Sequence, residues 1–363
     1  MKALVAHELN RIAVETVTID PPKTGELLIQ MKATGVCHSD LSIANGTILM
    51  PFFPMVLGHE GAGIVQEVGP GVGGFAKGDH VILSFVPSCG QCYFCQRHEP
   101  HLCAAGSDAM GRMLDGTTRV HMNGSDVNVM QFLGCMAEYA VVPAISAVKI
   151  DKSVPFDRAA LIGCGVMTGV GGALKTAEVK AGSTVAVFGC GGIGLSVIQG
   201  AKIAGARQVI GVDLADSKLE YAKQLGATHT VNAATDPVAK IRELTGGIGV
   251  DYAFEAIGIG AVMTQAFQAA RRGGTVCILG LGKITDQMPI NAMLFAPEAK
   301  KVIGSFYGNT NFRVDMPLLA ELYQQGKLDL DRMVTKTYSI DQAPQAFEDL
   351  EQGKNARGVI VYP

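Results

Sequence analysis

The sequence predicts an α/β protein of two domains, a β-rich domain first and then a doubly wound parallel sheet. Three observations predict it. The chain has 363 residues, enough for two hydrophobic cores. Up to about residue 165 it reads as short β-branched runs broken by Gly, Pro, Asn and Asp. From about Ser183 onward, apolar strand-like runs alternate with helical patterns, the mark of a parallel sheet covered on both faces.

In the first stretch the strand candidates are ELLIQMKATGV, GAGIVQEVG, DHVILSFV and AEYAVVP, spaced as in a compact, barrel-like arrangement. In the second they are TVAVFG, QVIGVD, THTVN, VDYAFEAIG, TVCILGLG and KKVIGSF. Helical patterns separate most of them. SKLEYAKQLGA is one, with Leu219, Ala222 and Leu225 on one face. After about Ser305 come a helix, MPLLAELYQQGKL, the segment SIDQAPQAFEDLEQG and a last strand, GVIVY. Pattern alone does not say whether this last piece extends the second sheet or returns to the first domain.

Composition narrows the function classes. Net charge is −3 and there is no basic tract, which argues against nucleic acid as a partner. No uninterrupted apolar run reaches the roughly 18 to 20 residues of a membrane helix, so no membrane partner is expected. The N-terminal MKALVAHELNRIAVETV lacks the apolar core of an export signal. Nine cysteines in such a chain point to a reducing, cytoplasmic setting, where they remain thiols or bind metal.

TVAVFGCGGIGLSVIQGAKIAGARQVIGVD places Gly189, Gly191 and Gly194 in G-x-G-x-x-G, with Gly192 between them, after a strand and at the start of a helix. A second strand follows and ends in Asp213. The first glycine allows the tight turn, the second lets backbone approach a pyrophosphate, and the third lets helix and strand pack closely. Strand, helix, second strand and acid all stand where a dinucleotide needs them. Asp213 would accept hydrogen bonds from ribose hydroxyls and repel a 2′-phosphate, which favours NAD over NADP.

SCGQCYFCQRHEPHLC holds Cys89, Cys92, Cys95 and Cys103 at gaps of two, two and seven residues. That spacing lets four sulfurs converge on one tetrahedral centre, which suits structural zinc rather than a redox pair. A four-cysteine site has no open position, so it says nothing about chemistry. Other ligand types are scattered: Cys37 in TGVCHSD, His59 with Glu60 in LGHEGAG, and Cys164 in LIGCGVMTG. Two thiolates and one imidazole with a fourth position free are used for catalytic zinc. A buried cysteine is also a common small apolar filler, and spacing does not decide between these readings.

The motifs GHEGAGIVQEVGPGV, GVCHSD, the four-cysteine lobe, LIGCGVMTG and VFGCGGIG together resemble the zinc-dependent medium-chain alcohol dehydrogenases, in order and intervals, over essentially the whole chain. The resemblance implies a GroES-like catalytic domain over residues 1–165, a Rossmann NAD-binding domain over 166–305, and a return to the catalytic domain over 306–363. It implies two Zn2+ per chain: Cys37, His59 and Cys164 on the catalytic ion, and Cys89, Cys92, Cys95 and Cys103 on the structural one. Asp40 would orient the ring of His59, and Glu60 would lie behind the metal or join it transiently. Ser39 would contact the substrate oxygen and take its proton. His38 and Arg357 would neutralise the cofactor pyrophosphate, Thr168 would sit near the nicotinamide, and Lys218 would assist Asp213. The implied activity is reversible oxidation of an alcohol to an aldehyde or ketone, with hydride to NAD, by a homodimer or homotetramer. One departure stands out: the family's surface relay histidine, five residues after the first cysteine ligand, is Ser42 here.

Substrate is the least determined point. Ile48, Leu49, Met50, Phe52 and Phe53 lead up to the zinc motif, and Phe85 precedes the lobe. The resemblance makes Phe85 a pocket wall, and the small Ser39 leaves room for a bulky group, so an alcohol with an apolar or aromatic body is expected. Plain core packing explains the same side chains. An alternative within the family is glutathione-dependent formaldehyde dehydrogenase, whose polar adduct needs charged partners. Here the stretch before GHE is apolar and Ser107 stands where a family arginine would follow the lobe. A non-enzymatic structural relative is a further alternative, against which the full set of ligand residues argues.

Overall fold

Strand Glu26–Gly35 organises the first half of the molecule. Leu27, Ile29, Met31 and Ala33 are buried while Leu28, Gln30 and Lys32 are half-buried, the period of two of a strand with one face on the core. One edge takes Gly61–Val68, and the other is shared between Tyr139–Pro143 and Arg357–Val361, all antiparallel. The sheet continues outward through His80–Leu83 to Ala147–Lys149 on one side and through Val334–Tyr338 on the other. A second sheet runs Arg11–Thr16, Lys2–Glu8, Met55–Val56, Ser125–Val129, Val120–Met122 and Thr18–Ile19. Arg119, 1% exposed, joins the two by donating to both carboxylate oxygens of Glu26.

The computed structural model describes residues 1–50, 52–107 and 111–363. The chain divides into two units, one of Met1–Cys164, Asn311–Gly326 and Met333–Pro363, the other of Gly165–Thr310 and Lys327–Arg332. Both sheets above lie in the first unit.

The second unit holds a six-stranded sheet, all parallel, in the order His229–Asn232, Gln208–Asp213, Thr184–Phe188, Val250–Glu255, Ala270–Ile278, Lys301–Gly304. Its first strand in sequence lies inside the sheet. The second and third extend to one side and the rest to the other, so the order reverses between Thr184–Phe188 and Val250–Glu255. Helices Gly192–Ile203, Asp216–Gln224, Pro237–Leu244 and Gly260–Ala269 connect the strands. Local chemistry fixes the start of one of them. Asp236 accepts from the N–H groups of Val238 and Ala239, with Pro237 at the first helical position. Apolar strand residues such as Ala186, Phe188, Ile210, Val212, Ala253 and Val276 form this unit's core.

Residues Phe156–Thr176 form a single helical stretch long and apolar enough, by composition, to cross a membrane. Its apolar window is 83% buried inside the protein, as for a core helix. Asp157, Arg158 and Lys175 stand at its ends, so its uninterrupted apolar part is shorter than a membrane span. Two of its turns, Ile162–Val166 and Gly172–Thr176, are π-helical.

The C-terminal segment is pinned to the first sheet by one carboxylate. Asp349, 2% exposed, accepts from Lys336 Nζ at 2.7 Å, Tyr338 Oη at 2.7 Å, and Gln345 and Lys354 at 3.2 Å each. These bonds, that of Lys336 first, hold its carboxyl below the usual carboxylate range. A depressed carboxyl adds stability that is present above its unfolded pKa of about 3.9 and is lost as pH falls. Asp349→Asn should therefore lower Tm at pH 7, with the gap to wild type closing below about pH 4. Thermal melts by circular dichroism across that range check it, and coincident melts at pH 7 would contradict it.

Candidate active site

Three separate elements of the first unit bring the scattered ligand types together. Cys37 follows strand Glu26–Gly35 and is the N-cap of the short helix His38–Ala44. His59 and Glu60 sit on the turn entering strand Gly61–Val68. Gly58 makes that turn possible: its φ is 105°, and a Cβ there would come within 2.5 Å of the Met136 backbone nitrogen. Cys164 lies in the π-turn Ile162–Val166, and such wide turns often mark functional positions in helices.

One ligand-type atom each from Cys37, His59, Glu60 and Cys164 lies within 4.8 Å of the others. All four residues are at most 9% exposed. His59 Nε2 is buried with no hydrogen-bond partner among the described residues, while Nδ1 lies 3.3 Å from Asp40 Oδ1. The same Asp40 oxygen accepts from Gly58 N at 2.8 Å, so Asp40 fixes both the turn and the ring. The Cys37 thiol is held well below its ordinary value, first by the hydrogen bond from Cys164 and then, against burial, by His59. That bond and burial push Cys164 well above. Burial opposes charge on His59, but Asp40 and Cys37 outweigh it and raise its pKa. Two thiols, one already acidified, and an imidazole with an orphaned nitrogen fit a zinc ion with a fourth position open.

Burial pushes the Glu60 carboxyl up to about 7 despite the cation beside it. That cation is Arg357, 5% exposed, which donates to Glu60 Oε2 and, at 3.5 Å, to Val36 O. Gly35 leaves the room, since a Cβ there would stand 2.0 Å from Glu60 Oε2. Phe85 sets its ring edge-on to His59, centroids 5.5 Å apart. Ser39 Oγ lies 3.7 Å from Cys37 Sγ. His38 is exposed at the start of the same helix, and Ser42 lies further along it. Leu49 is 70% exposed.

The four sulfurs of Cys89, Cys92, Cys95 and Cys103 also lie within 4.8 Å of one another. Backbone N–H groups of Cys89 and Cys92 point at the sulfurs of Cys103 and Cys89, each at 3.4 Å. Hydrogen bonding, first from the Cys95 backbone, lowers the Cys92 thiol to about 6, while burial pushes Cys103 up to about 12. All nine cysteines are free, so the lobe is not a disulfide clasp.

In the second unit Gly189 has φ 92°, and Gly194 allows the helix to meet the strand, since a Cβ there would stand 1.7 Å from Gly189 O. Around Gly191 a Cβ would meet nothing within 4 Å, leaving open space at the N-terminus of the twelve-residue helix Gly192–Ile203. Such a terminus attracts a phosphate. Asp213 ends the next strand, its carboxylate accepting from Cys190 N at 2.8 Å and Ala215 N at 3.0 Å. Lys218 is half-buried early in helix Asp216–Gln224, and Thr168 is 6% exposed in Met167–Gly171. This loop fits a dinucleotide.

Comparison with known proteins follows the same division. Residues 23–152 match the alcohol dehydrogenase GroES-like domain and residues 192–323 the zinc-binding dehydrogenase domain. An NDMA-dependent alcohol dehydrogenase from Amycolatopsis methanolica is 42% identical over 368 residues, 99% of this chain and 98% of its own. The chain belongs to the zinc-dependent medium-chain alcohol dehydrogenases. An S-(hydroxymethyl)glutathione dehydrogenase from Saccharomyces cerevisiae is 41% identical over 371 residues, 99% of this chain and 95% of its own. The crystal structure of benzyl alcohol dehydrogenase from Acinetobacter calcoaceticus matches with a TM-score of 0.94 at 32% identity, covering 100% of this chain and 99% of that one. This member of the medium-chain alcohol dehydrogenases is thus an oxidoreductase acting on CH–OH, zinc-dependent and with a nicotinamide cofactor.

Sequence reasoning missed two features of the site. The Arg357–Glu60 pair joins residues almost three hundred positions apart, with no local signal. Phe85 against His59 is likewise a product of the fold, and only the resemblance pointed to Phe85.

Proposed function

We propose that this chain oxidises primary or secondary alcohols with an apolar or aromatic body to aldehydes or ketones, reversibly, with NAD as hydride acceptor. The observation that carries the proposal is the buried set Cys37, His59, Cys164 and Glu60 with its orphaned imidazole nitrogen. In this reading Cys37, His59 and Cys164 bind a catalytic zinc, and Cys89, Cys92, Cys95 and Cys103 a structural one. When bound, the catalytic zinc supplies a Lewis acid beside the alcohol or carbonyl oxygen.

The chain does the rest. Ser39, beside Cys37, contacts the substrate oxygen and receives the hydroxyl proton, while the alcohol carbon gives its hydride to C4 of the nicotinamide. Ser42 is no base at neutral pH, so the proton continues to solvent through water. Asp40 and Phe85 hold the ring of His59, and Phe85 adds an apolar wall that excludes water. Glu60 and Arg357 set the charge behind the ligands, and Arg357 with His38 balances the cofactor pyrophosphate. Gly189, Gly191, Gly192 and Gly194 receive that pyrophosphate, Thr168 flanks the nicotinamide, and Asp213 with Lys218 holds the adenosine ribose. In this reading the exposed Leu49 belongs to the substrate pocket. The free state of all nine cysteines supports a cytoplasmic setting.

The yeast relative favours a second reading, oxidation of a glutathione–formaldehyde adduct. The apolar segment before His59, and Ser107 after the lobe, weigh against it. NADH absorbance over benzyl alcohol, aliphatic alcohols and S-hydroxymethylglutathione, each with NAD and with NADP, separates the two. Benzyl alcohol with NAD should give the highest kcat/KM, with NAD ahead of NADP by about tenfold or more because Asp213 repels the 2′-phosphate. Preference for the glutathione adduct, or equal use of both cofactors, would contradict the proposal.

A homodimer or homotetramer also belongs to this reading. Strand Lys301–Gly304 is an edge of the parallel sheet, and Leu281, Ile284, Met293 and Leu294, close to it in sequence, are exposed. An unpaired edge beside exposed apolar side chains invites pairing. Light scattering at micromolar concentration should give a multiple of the 38.0 kDa chain mass, and a single-chain mass would refute the assembly.

A further inference from the structure

One buried carboxylate in the second unit has no part in the chemistry described so far. Glu255 ends strand Val250–Glu255 and is 0% exposed. Its Oε1 accepts from three successive backbone N–H groups, Ile257 at 3.0 Å, Gly258 at 2.7 Å and Ile259 at 3.4 Å. Oε2 is buried with no partner among the described residues, against the α-carbon of Gly280, where a Cβ would stand 2.6 Å away. Burial raises the carboxyl's pKa against the pull of those three N–H groups. A fully buried acid is a costly way to end a strand unless the loop it gathers matters.

That loop faces the glycine motif. Strand Val250–Glu255 pairs with Thr184–Phe188, Glu255 opposite Phe188, at the point where strand order reverses. Dinucleotides bind in the crevice at such a point. Ala256 N donates to Phe188 O at 2.9 Å, after which the chain turns back over the carboxylate. The turn sets Ile257 against the first glycine of the motif: a Cβ on Gly189 would stand 2.5 Å from Ile257 Cγ1. Gly258, with φ 92°, lies so close to Leu281 that a Cβ would meet its carbonyl oxygen at 2.4 Å. The loop is therefore fixed from both sides. Ile257 and Ile259 each remain 46% exposed, two large apolar side chains at a crevice built for a ligand.

We infer that Glu255 is a positioning residue for the dinucleotide: by gathering the N–H groups of residues 257–259 it holds Ile257 as an apolar wall beside the glycine loop. The inference rests on the dinucleotide reading of Gly189, Gly191 and Gly194. It assigns Glu255 no contact with the reacting atoms.

The test is NADH binding by fluorescence titration, with thermal melts in parallel. Glu255→Ala should raise the Kd for NADH about tenfold, equivalent to about 1.4 kcal/mol. Glu255→Gln, whose amide oxygen accepts the same N–H groups, should stay within about threefold of wild type. Ile257→Ala should raise Kd by a similar factor without lowering Tm, and the double variant should bind no more weakly than Glu255→Ala alone. In turnover, KM for NAD should rise while kcat at saturation holds. A Glu255→Ala protein with lowered Tm and unchanged Kd would overturn the inference. So would additive losses in the double variant. If Glu255→Ala does not fold, an unchanged Kd in Ile257→Ala overturns it equally, since the loop would have nothing to position. A wild-type protein that binds no NADH would instead refute the dinucleotide reading beneath it.

Discussion

Three groups that can each carry negative charge, the Cys37 and Cys164 thiols and the Glu60 carboxyl, are buried within 4.8 Å of one another. Unpaired charge at such a site is expensive, so the surrounding structure has to supply cations. Arg357 is one, set against Glu60 and raised in pKa against the cost of its own burial by Glu60 and Cys37. His59, raised mainly by Asp40 against burial, is a second. A divalent ion between the sulfurs would take the place of the His59 proton, met by that ring's Nε2, which has no partner among the described residues. Much of the first unit follows from this. Strand Arg357–Val361 lies along Glu26–Gly35 and so delivers Arg357 beside Gly35, whose missing Cβ leaves room for Glu60. Asp349 in turn ties together the segment from which that strand emerges.

What was legible in the sequence was local. The four-cysteine lobe could be read because its sulfurs converge within one short stretch, and the chain needs no distant partner to bring them together. The glycine loop could be read for the same reason, with strand, turn and helix consecutive. The inner parallel strands of the second unit, Thr184–Phe188 and Gln208–Asp213 above all, were legible because strands buried on both faces leave continuous apolar runs. The set around His59 was not legible from spacing. Cys37 comes from a strand end, His59 from a turn made possible by Gly58, and Cys164 from a π-turn that no residue pattern announces. Only resemblance to a family joined them beforehand. The long helix Phe156–Thr176 was passed over for a related reason, since charges at its ends hide a core helix from a count of uninterrupted apolar residues.

Resemblance had limits of its own. It assigned Arg357 to the cofactor pyrophosphate, and gave no hint that the guanidinium is engaged by Glu60 within the first unit. Glu255 escaped both kinds of reading, because an acid at the end of an apolar strand gives no sequence sign of the three N–H groups it gathers. Ser42 is the opposite case. There the sequence departs from its family in plain view, and a short helix carries a hydroxyl where the relay would end in an imidazole.

Zinc-edge X-ray absorption, with metal counted on the same samples, tests most directly the claim that the buried anionic set exists to hold a metal. Wild-type protein and Cys164→Ser, purified without added metal, are the samples to compare. The account predicts two zinc ions per chain in wild type, in a sulfur-rich shell with a nitrogen component from His59. It predicts that Cys164→Ser weakens or empties one site, losing the nitrogen component while the four-sulfur shell of the lobe remains. A wild-type protein with a single zinc in a pure four-sulfur shell would contradict it.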